Sequence, residues 1–533
     1  MHRSSKTILF SLILIAAIAF LLFTIPNSRA SDDLAMVSIF EPDEGIAIPV
    51  VFRMISPKET LKQFIIQFVF YEYYFYGFPY FASSALVLFP LQWLDQLINM
   101  PMVMLTLRQM ISVLPMLVGL LILVFMQDGF QTYRSLVLFI FLLFVPAIVR
   151  NGFWWHPDGL TLLLSVLVIY FLWKDNRQFG GKFVIAAAVC GVLIATKLVG
   201  AYFFLAVGMT LIWGLVEKKL TWKKALRISL IFILIMVIFF ICANPFLLSK
   251  GTRIWYFNIV KKQSAMLSQG YGIVYEKGLH GAWPLMHEFY GEAIFLILAI
   301  GVTIWGIWQS KYRFLHALTL AWFIPLTISL LTTSHFKFQY WLPVAIPLFS
   351  NLVLLLPETS RDLKWTRVQW IIRGITLAII GVQFILFFSQ SIQMAAAQTH
   401  RKENNPHIDF YDQALEQLAP IFPNEMYVYY DYRLYVPVTT GWVTETSFEL
   451  LDYEYIQGRN FQILLLLEQR IRDYLHPNAT GIDAEQFALN QQFYHDADDG
   501  TIEGYHLLYR NETGLIYIHD DVCQAYFDPF QCQ

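Results

Sequence analysis

Three carboxylates stand within four residues in Phe40-Glu41-Pro42-Asp43-Glu44-Gly45, shortly after an apolar N-terminal run. A carboxylate is well suited to taking the proton of a hydroxyl as that hydroxyl attacks. Neighbouring carboxylates also repel one another, so crowding them beside hydrocarbon calls for cations or a bound ligand close by. Further ionisable residues lie beside other apolar runs: Arg108, Arg150, His156, Asp158, Lys197, Lys250, Arg253, His335 and Lys337. Fixed cations of this kind suit an anion at a membrane interface, such as a lipid phosphate. Singly, each group has a plainer reading. FEPDEG reads as a solvated loop, with Glu41 an ordinary loop acid. His156-Pro157-Asp158-Gly159 reads as a turn whose Asp caps the next helix. Lys197 reads as a snorkelling side chain, and His335 and Lys337 as anchors among interfacial aromatics. Their coincidence on one side of a membrane is what points to a site.

The elements that must hold these residues are membrane spans. The chain has 533 residues, 57% hydrophobic and 14% charged, with a mean hydropathy of +0.52. No soluble core can hide that much apolar surface, so the chain reads as an α-helical polytopic membrane protein. Lys+Arg at 37 against Asp+Glu at 39 gives no cationic excess and no support for nucleic-acid binding. Apolar runs occur at 8–25, 103–126, 136–148, 160–173, 183–195, 201–216, 228–242, 293–308, 314–331, 341–356 and 375–388. They predict about eleven spans of roughly 20 residues each with their flanks. The first run reads as a retained span rather than a signal peptide cleaved after Ser28-Arg29-Ala30. The apolar stretch 81–97 is read as a juxtamembrane or re-entrant helix. With that choice the Lys/Arg clusters at 134, 174–182, 218–227, 311–313 and 361–373 all fall on the cytoplasmic side, as the positive-inside bias requires. FEPDEG, 150–159, 196–200, 244–290 and 333–341 then share the outer face. The aromatic run Tyr71-Glu72-Tyr73-Tyr74-Phe75-Tyr76 reads as a membrane–water boundary segment.

The chain after Gln390 is outside as well and reads as a small α/β domain, with helices at 408–418 and 461–474 and a strand–turn–strand around Asn511-Glu512-Thr513-Gly514. The predicted division is 1–390 for the membrane domain, with 26–102 as its first outer loop, and 391–533 for the soluble domain. Four cysteines form no metal-like spacing, and Cys523 and Cys532 are a potential disulfide in an oxidising compartment. Gly-rich phosphate loops, kinase motifs, nucleophile elbows and HExxH are all missing from the sequence, which removes support for nucleotide-dependent and hydrolase chemistry.

The ordered series of the acidic pair, "YGFPYF", "LTLRQMISVLP", "VRNGFWWHPDGLTLLLSVLVIYFLWK", "IATKLVG", "ANPFLL" and "HFKFQYWLPVAIP" resembles the GT-C superfamily of membrane glycosyltransferases over about residues 1–390. The similarity is to the protein O-mannosyltransferase and aminoarabinose-transferase branch. The resemblance implies transfer of a sugar from a polyprenyl-phosphate donor to an acceptor hydroxyl outside the cytoplasm, in a plasma membrane of bacterial type. It implies Asp43 as the base and Glu44 as its partner. Donor phosphate would be met by Arg108, Lys197, Lys250, Arg253, His335 and Lys337, with Arg150, His156 and Asp158 supporting from the second outer loop. A divalent metal is the one cofactor it leaves room for, on Asp43, Glu44 and His156, although no His/Asp spacing establishes such a site. Gly45-Ile46-Ala47 replaces the aromatic or His often found after the pair. A lipid-glycan transporter or flippase is the alternative; it would want ionisable residues in mid-span and an internal repeat.

Overall fold

Long apolar runs with few charges fold as helices here because a lipid environment leaves their backbone groups no partner but one another. The structure, a computed structural model, describes residues 3–269, 277–308, 312–332, 336–356, 367–422, 424–438, 441–447, 451–481 and 483–527. After α1 (Arg3–Phe23) come four further helices, α2 (Leu34–Phe40), α3 (Pro42–Ile55), α4 (Leu61–Val69) and α5 (Phe78–Trp93). Next, α6 (Met100–Leu107) passes through a π-helical turn at Arg108–Val113 into α7 (Leu114–Asp128). The bundle continues with α8 (Tyr133–Leu143), α9 (Pro146–Gly152), α10 (Asp158–Asp175), α11 (Gly181–Thr196), α12 (Phe204–Val216) and α13 (Trp222–Cys242). It closes with α14 (Lys250–Gln269), α15 (Gly278–Tyr290), α16 (Ala293–Trp308), α17 (Arg313–Thr332), α18 (Phe338–Ser350) and α19 (Arg367–His400).

Among the described residues, seven helical stretches are long and apolar enough to cross a bilayer, or up to nine if each bent pair counts as one span. The bent pairs are α8–α9, at 62°, and α15–α16, at 83°. Of the eleven runs read from the sequence, α10 and α11 fall outside that count for identifiable reasons. Helix α10 carries Asp158, Lys174 and Asp175, and α11 is only 16 residues long. Both pack inside the bundle, α11 between α10 and α13. The bilayer-facing elements are distinguished by burial: the apolar stretches of α13 and α19 are 11% and 17% buried, against 78% for the stretch containing α18.

A second apolar cluster, separate from the bundle core, is built largely on the segments that follow α1. Tyr71, Tyr74, Tyr80 and Phe81 pack there with Leu107, Trp155 and Phe246. The aromatic run expected at the membrane boundary thus turns inward: Tyr71 and Tyr74 are buried, and Tyr71 stacks edge-on against Tyr74 and Phe246.

Beyond α19, which runs ten residues past position 390, a five-stranded mixed sheet forms in the order β2-β1-β3-β5-β4. The strands are β1 (Met426–Tyr430), β2 (Trp442–Glu445), β3 (Ile463–Leu467), β4 (Tyr505–Arg510) and β5 (Gly514–His519). β1 pairs in parallel with β2 and β3, whereas β5 is antiparallel to β3 and β4. The helix expected over 461–474 is instead β3 followed by a helix at Glu468–Leu475. Five buried apolar residues in a row fit a central strand as well as a buried helix, and sequence periodicity does not separate the two. The strand–turn–strand at 505–519 and a helix at Pro406–Gln417 match expectation. Cys523 is disulfide-bonded, and Cys532 lies outside the described residues. The sheet domain touches the segment between α1 and α2 through the Tyr435 hydroxyl, which donates to Asp33 at 2.9 Å.

Candidate active site

Pro42 starts α3 and puts Asp43 and Glu44 in its first turn, where the positive end of the helix dipole favours acids. Consecutive helical residues are about 100° apart around the axis, so the two acids meet different surroundings. Glu44 points inward and is fully buried. Arg108 Nε donates to one of its oxygens at 3.0 Å, Arg108 Nη2 donates to the other, and the Trp155 amide adds a third bond. Arg108 Nη1 donates to the Asn27 carbonyl. The π-helical turn that begins at Arg108 aims this side chain out of the regular helical phase. Arg108 is therefore a buried scaffold for Glu44 and does not face a ligand as the phosphate reading required.

Asp43 keeps 42% of its side chain exposed. The Tyr76 hydroxyl donates to it at 3.1 Å, and His156 Nε2 lies 4.0 Å away. The same hydroxyl is 2.8 Å from His156 Nε2. His156 is buried, stacked flat on Trp154 with ring centroids 4.3 Å apart, and its Nδ1 meets Asp158. The other Asp158 oxygen pairs with Lys197 Nζ at 2.5 Å. An unbroken chain therefore runs Asp43–Tyr76–His156–Asp158–Lys197. Burial pulls His156 below the usual imidazole range, with the Asp158 charge opposing it, and burial pushes Tyr76 well above the usual phenol range, helped by Asp43.

Two glycines allow the segments to meet. A Cβ at Gly77 would sit 1.6 Å from the Ala195 carbonyl oxygen, so only glycine lets the tyrosine loop lie on the end of α11 beside Lys197. A Cβ at Gly159 would sit 2.5 Å from the Ser112 carbonyl oxygen, so glycine seats Asp158 against the π-helical turn. Opposite, Tyr340 carries two lysines on its ring: Lys197 Nζ at 4.1 Å and Lys337 Nζ at 6.0 Å from the centroid. Lys337 is held below the usual lysine range by burial, while the charges of Asp43 and Asp158 oppose that shift.

The remaining sequence candidates fall in other places. Arg150 donates to Glu41 at 2.9 Å, and Arg401, just past α19, lies 3.7 Å from the same carboxylate. Glu41 is 5% exposed, so the loop-acid reading is corrected: it is a buried anion that ties α9, through Arg150, and the end of the last span, through Arg401, to the start of α3. Lys250 and Arg253 lie on the exposed side of α14, with Arg253 donating to the Leu247 carbonyl at 3.4 Å; no ion pair joins either to the acids among the described residues. His335 lies outside the described residues. Asp43, Glu44 and His156 do not fit a shared metal as placed. Glu44 is engaged by Arg108 and Trp155, both ring nitrogens of His156 have partners, and among the described residues no three His, Cys, Asp or Glu side chains are grouped to hold an ion. Tyr76 and Arg401 are the participants that sequence reasoning missed. Tyr76 lay in a run read only for its interfacial character, and Arg401 lay past the last span with no motif around it.

No protein-family model matches the chain, and no curated protein sequence does. Solved structures are similar over nearly its whole length. ArnT from Cupriavidus metallidurans bound to undecaprenyl phosphate superposes with a TM-score of 0.55 at 11% identity, covering 97% of this chain and 98% of that one. The oligosaccharyltransferase of Archaeoglobus fulgidus in its apo form superposes with a TM-score of 0.54 at 12% identity, covering 94% of this chain and 80% of that one. At such identities the likeness concerns architecture, and the chain has the fold of the GT-C membrane glycosyltransferases.

Proposed function

We propose that the protein is an integral-membrane glycosyltransferase that moves a sugar from a polyprenyl-phosphate donor to an acceptor hydroxyl on the extracytoplasmic face. The acceptor class is a protein, a glycolipid or a surface polysaccharide, and the sugar is a hexose or pentose. The observation that carries this reading is the contrast within the acidic pair: Glu44 is sealed in a buried ion pair, while Asp43 stays partly exposed and its charge is felt by Lys197 and Lys337. A half-exposed carboxylate facing cations suits a reaction in which a hydroxyl loses a proton while a phosphate leaves. The fold of a protein bound to undecaprenyl phosphate supports the donor class.

In this reading Asp43 takes the acceptor proton as the acceptor oxygen bonds to the sugar C1. The bond from C1 to the carrier phosphate breaks, and its electron pair stays on the phosphate oxygen, where Lys337 and Lys197 stabilise the growing charge. No step is routed through a metal. Purified protein incubated with a panel of polyprenyl-phosphate sugars is the test. Sugar transfer or release by the wild type, lost in Asp43→Asn with insertion intact, is the expected result. Full activity in Asp43→Asn sinks the assignment of the base, and transport of a labelled lipid-linked glycan without covalent transfer sinks the enzyme reading.

A further inference from the structure

The contacts of Tyr76 raise a question of hydrogen count. Its hydroxyl has one hydrogen but sits between two groups that both accept one, the Asp43 carboxylate at 3.1 Å and His156 Nε2 at 2.8 Å. On the far side of the ring, Asp158 is kept as a carboxylate by Lys197, so the proton of a neutral His156 belongs on Nδ1, facing Asp158, and Nε2 is bare. With Asp43 ionised and His156 neutral, Tyr76 satisfies one neighbour and leaves the other without a hydrogen. The cluster is one proton short of a complete set of bonds.

Adding that proton completes the set in either of two arrangements. The proton sits on Asp43, which donates to Tyr76, which donates to Nε2. Alternatively it sits on Nε2, which donates to Tyr76, which donates to an ionised Asp43. Two short shifts interconvert them, and each conserves every proton. Asp43 and Nε2 are 4.0 Å apart, too far to bond directly, so Tyr76 is the required bridge.

We propose that Tyr76 and His156 form a relay that draws the acceptor proton from Asp43 and stores it on His156, where Asp158 stabilises the imidazolium. This rests on the transfer reaction proposed above. Asp43 gives up the proton it has just taken and returns to the carboxylate form, so the proton is kept from going back to the departing phosphate. After product leaves, the shifts run in reverse and the proton exits to water through the partly exposed Asp43 carboxyl group. Tyr76 and His156 act through Asp43 and are positioning and relay residues. The charged and titratable groups around them are Asp43 from α3, Tyr73 and Tyr80 flanking the tyrosine loop, Asp158 from α10, Lys197 after α11 and Tyr340 from α18.

The relay requires neutral His156. Burial lowers its pKa, so the group is neutral above that lowered value and the relay is lost as pH falls through it. Single-turnover transfer by the full-length protein is measured against pH and against the deuterium fraction of the solvent. Wild type should show a rise with pH that lies below the usual imidazole value of about 6.5, and a curved proton inventory. Tyr76→Phe should slow the step by less than the roughly 10²–10⁴-fold expected for loss of the base itself, with donor binding unchanged. It should also abolish the His156-dependent rise and give a linear inventory. Should Tyr76→Phe fail to fold, His156→Gln answers with the same readouts. Histidine-selective nitrogen NMR follows the stored proton without turnover, and His156 should protonate at a lower pH in Tyr76→Phe, which lacks the bridging oxygen. A wild-type pH rise and inventory in Tyr76→Phe, or an unshifted His156, overturns the relay. Wild-type protein that transfers no sugar overturns the transfer reading itself, leaving the NMR titration to judge the hydrogen-bond bridge separately.

Discussion

Asp43 and Glu44 are adjacent carboxylates, yet removing the charge from each should have opposite consequences. Glu44 is fully buried against a fully buried Arg108, with donors on both of its oxygens. Glu44→Gln turns an accepting oxygen into an amide that points hydrogens at the guanidinium, and leaves the Arg108 charge uncompensated. Breaking a buried pair from one side costs about 3–5 kcal/mol. Asp43 has one hydrogen bond and is 42% exposed. Asp43→Asn should therefore cost about 1 kcal/mol or less in stability, while transfer falls by roughly 10²–10⁴-fold with loss of the base. Thermal unfolding in detergent beside single-turnover transfer reads both quantities. The expected pattern is Asp43→Asn stable and inactive, and Glu44→Gln destabilised with activity that tracks the folded fraction. The double variant Glu44→Leu/Arg108→Met, which removes both charges, should recover much of the lost stability. A Glu44→Gln protein as stable as wild type but inactive would refute the scaffold assignment and return Glu44 to the chemistry.

Three further outcomes follow from the geometry. Lys337→Ala should raise the donor concentration needed for half-maximal rate by about ten- to a hundred-fold, the worth of one charge-assisted hydrogen bond, in a titration with polyprenyl-phosphate sugar; an unchanged value removes Lys337 from the phosphate. Gly77→Ala and Gly159→Ala should both lower the melting temperature and transfer, because each Cβ would meet a backbone carbonyl oxygen at 1.6 Å and 2.5 Å respectively; wild-type behaviour would mean the close approaches are not needed. Chelation with EDTA should leave transfer unchanged, since Glu44 and His156 already have protein partners; loss of activity restored by added Mg²⁺ or Mn²⁺ would show that these partners yield to an ion.

The sequence made legible which segments share a face, and left hidden what each residue does there. Residue type and the cytoplasmic bias of lysine and arginine bring FEPDEG, HPDG, TKLVG and the segment around Lys337 together, and the structure joins residues of all four around Tyr340 and His156. The division of labour inside FEPDEG depends on helical phase at the first turn of α3, and nothing in a one-dimensional pattern fixes where that turn begins to the residue. Arg108 is an apolar-run cation by composition, and its aim comes from a π-helical turn that hydrophobic periodicity does not register. Tyr76 is one of four tyrosines within six residues of one run, and only the approach of Gly77 to Ala195 selects it to touch His156. The crowding of three acids then has a physical answer. Glu41 is bound by Arg150 and Arg401 and Glu44 by Arg108, three cations drawn from segments far apart in the chain. Two of the acids are thereby neutralised as scaffold, and the pair of ion locks holds the first turn of α3 in place. That leaves the carboxylate between them 42% exposed, bonded to the Tyr76 hydroxyl, with His156 behind that hydroxyl.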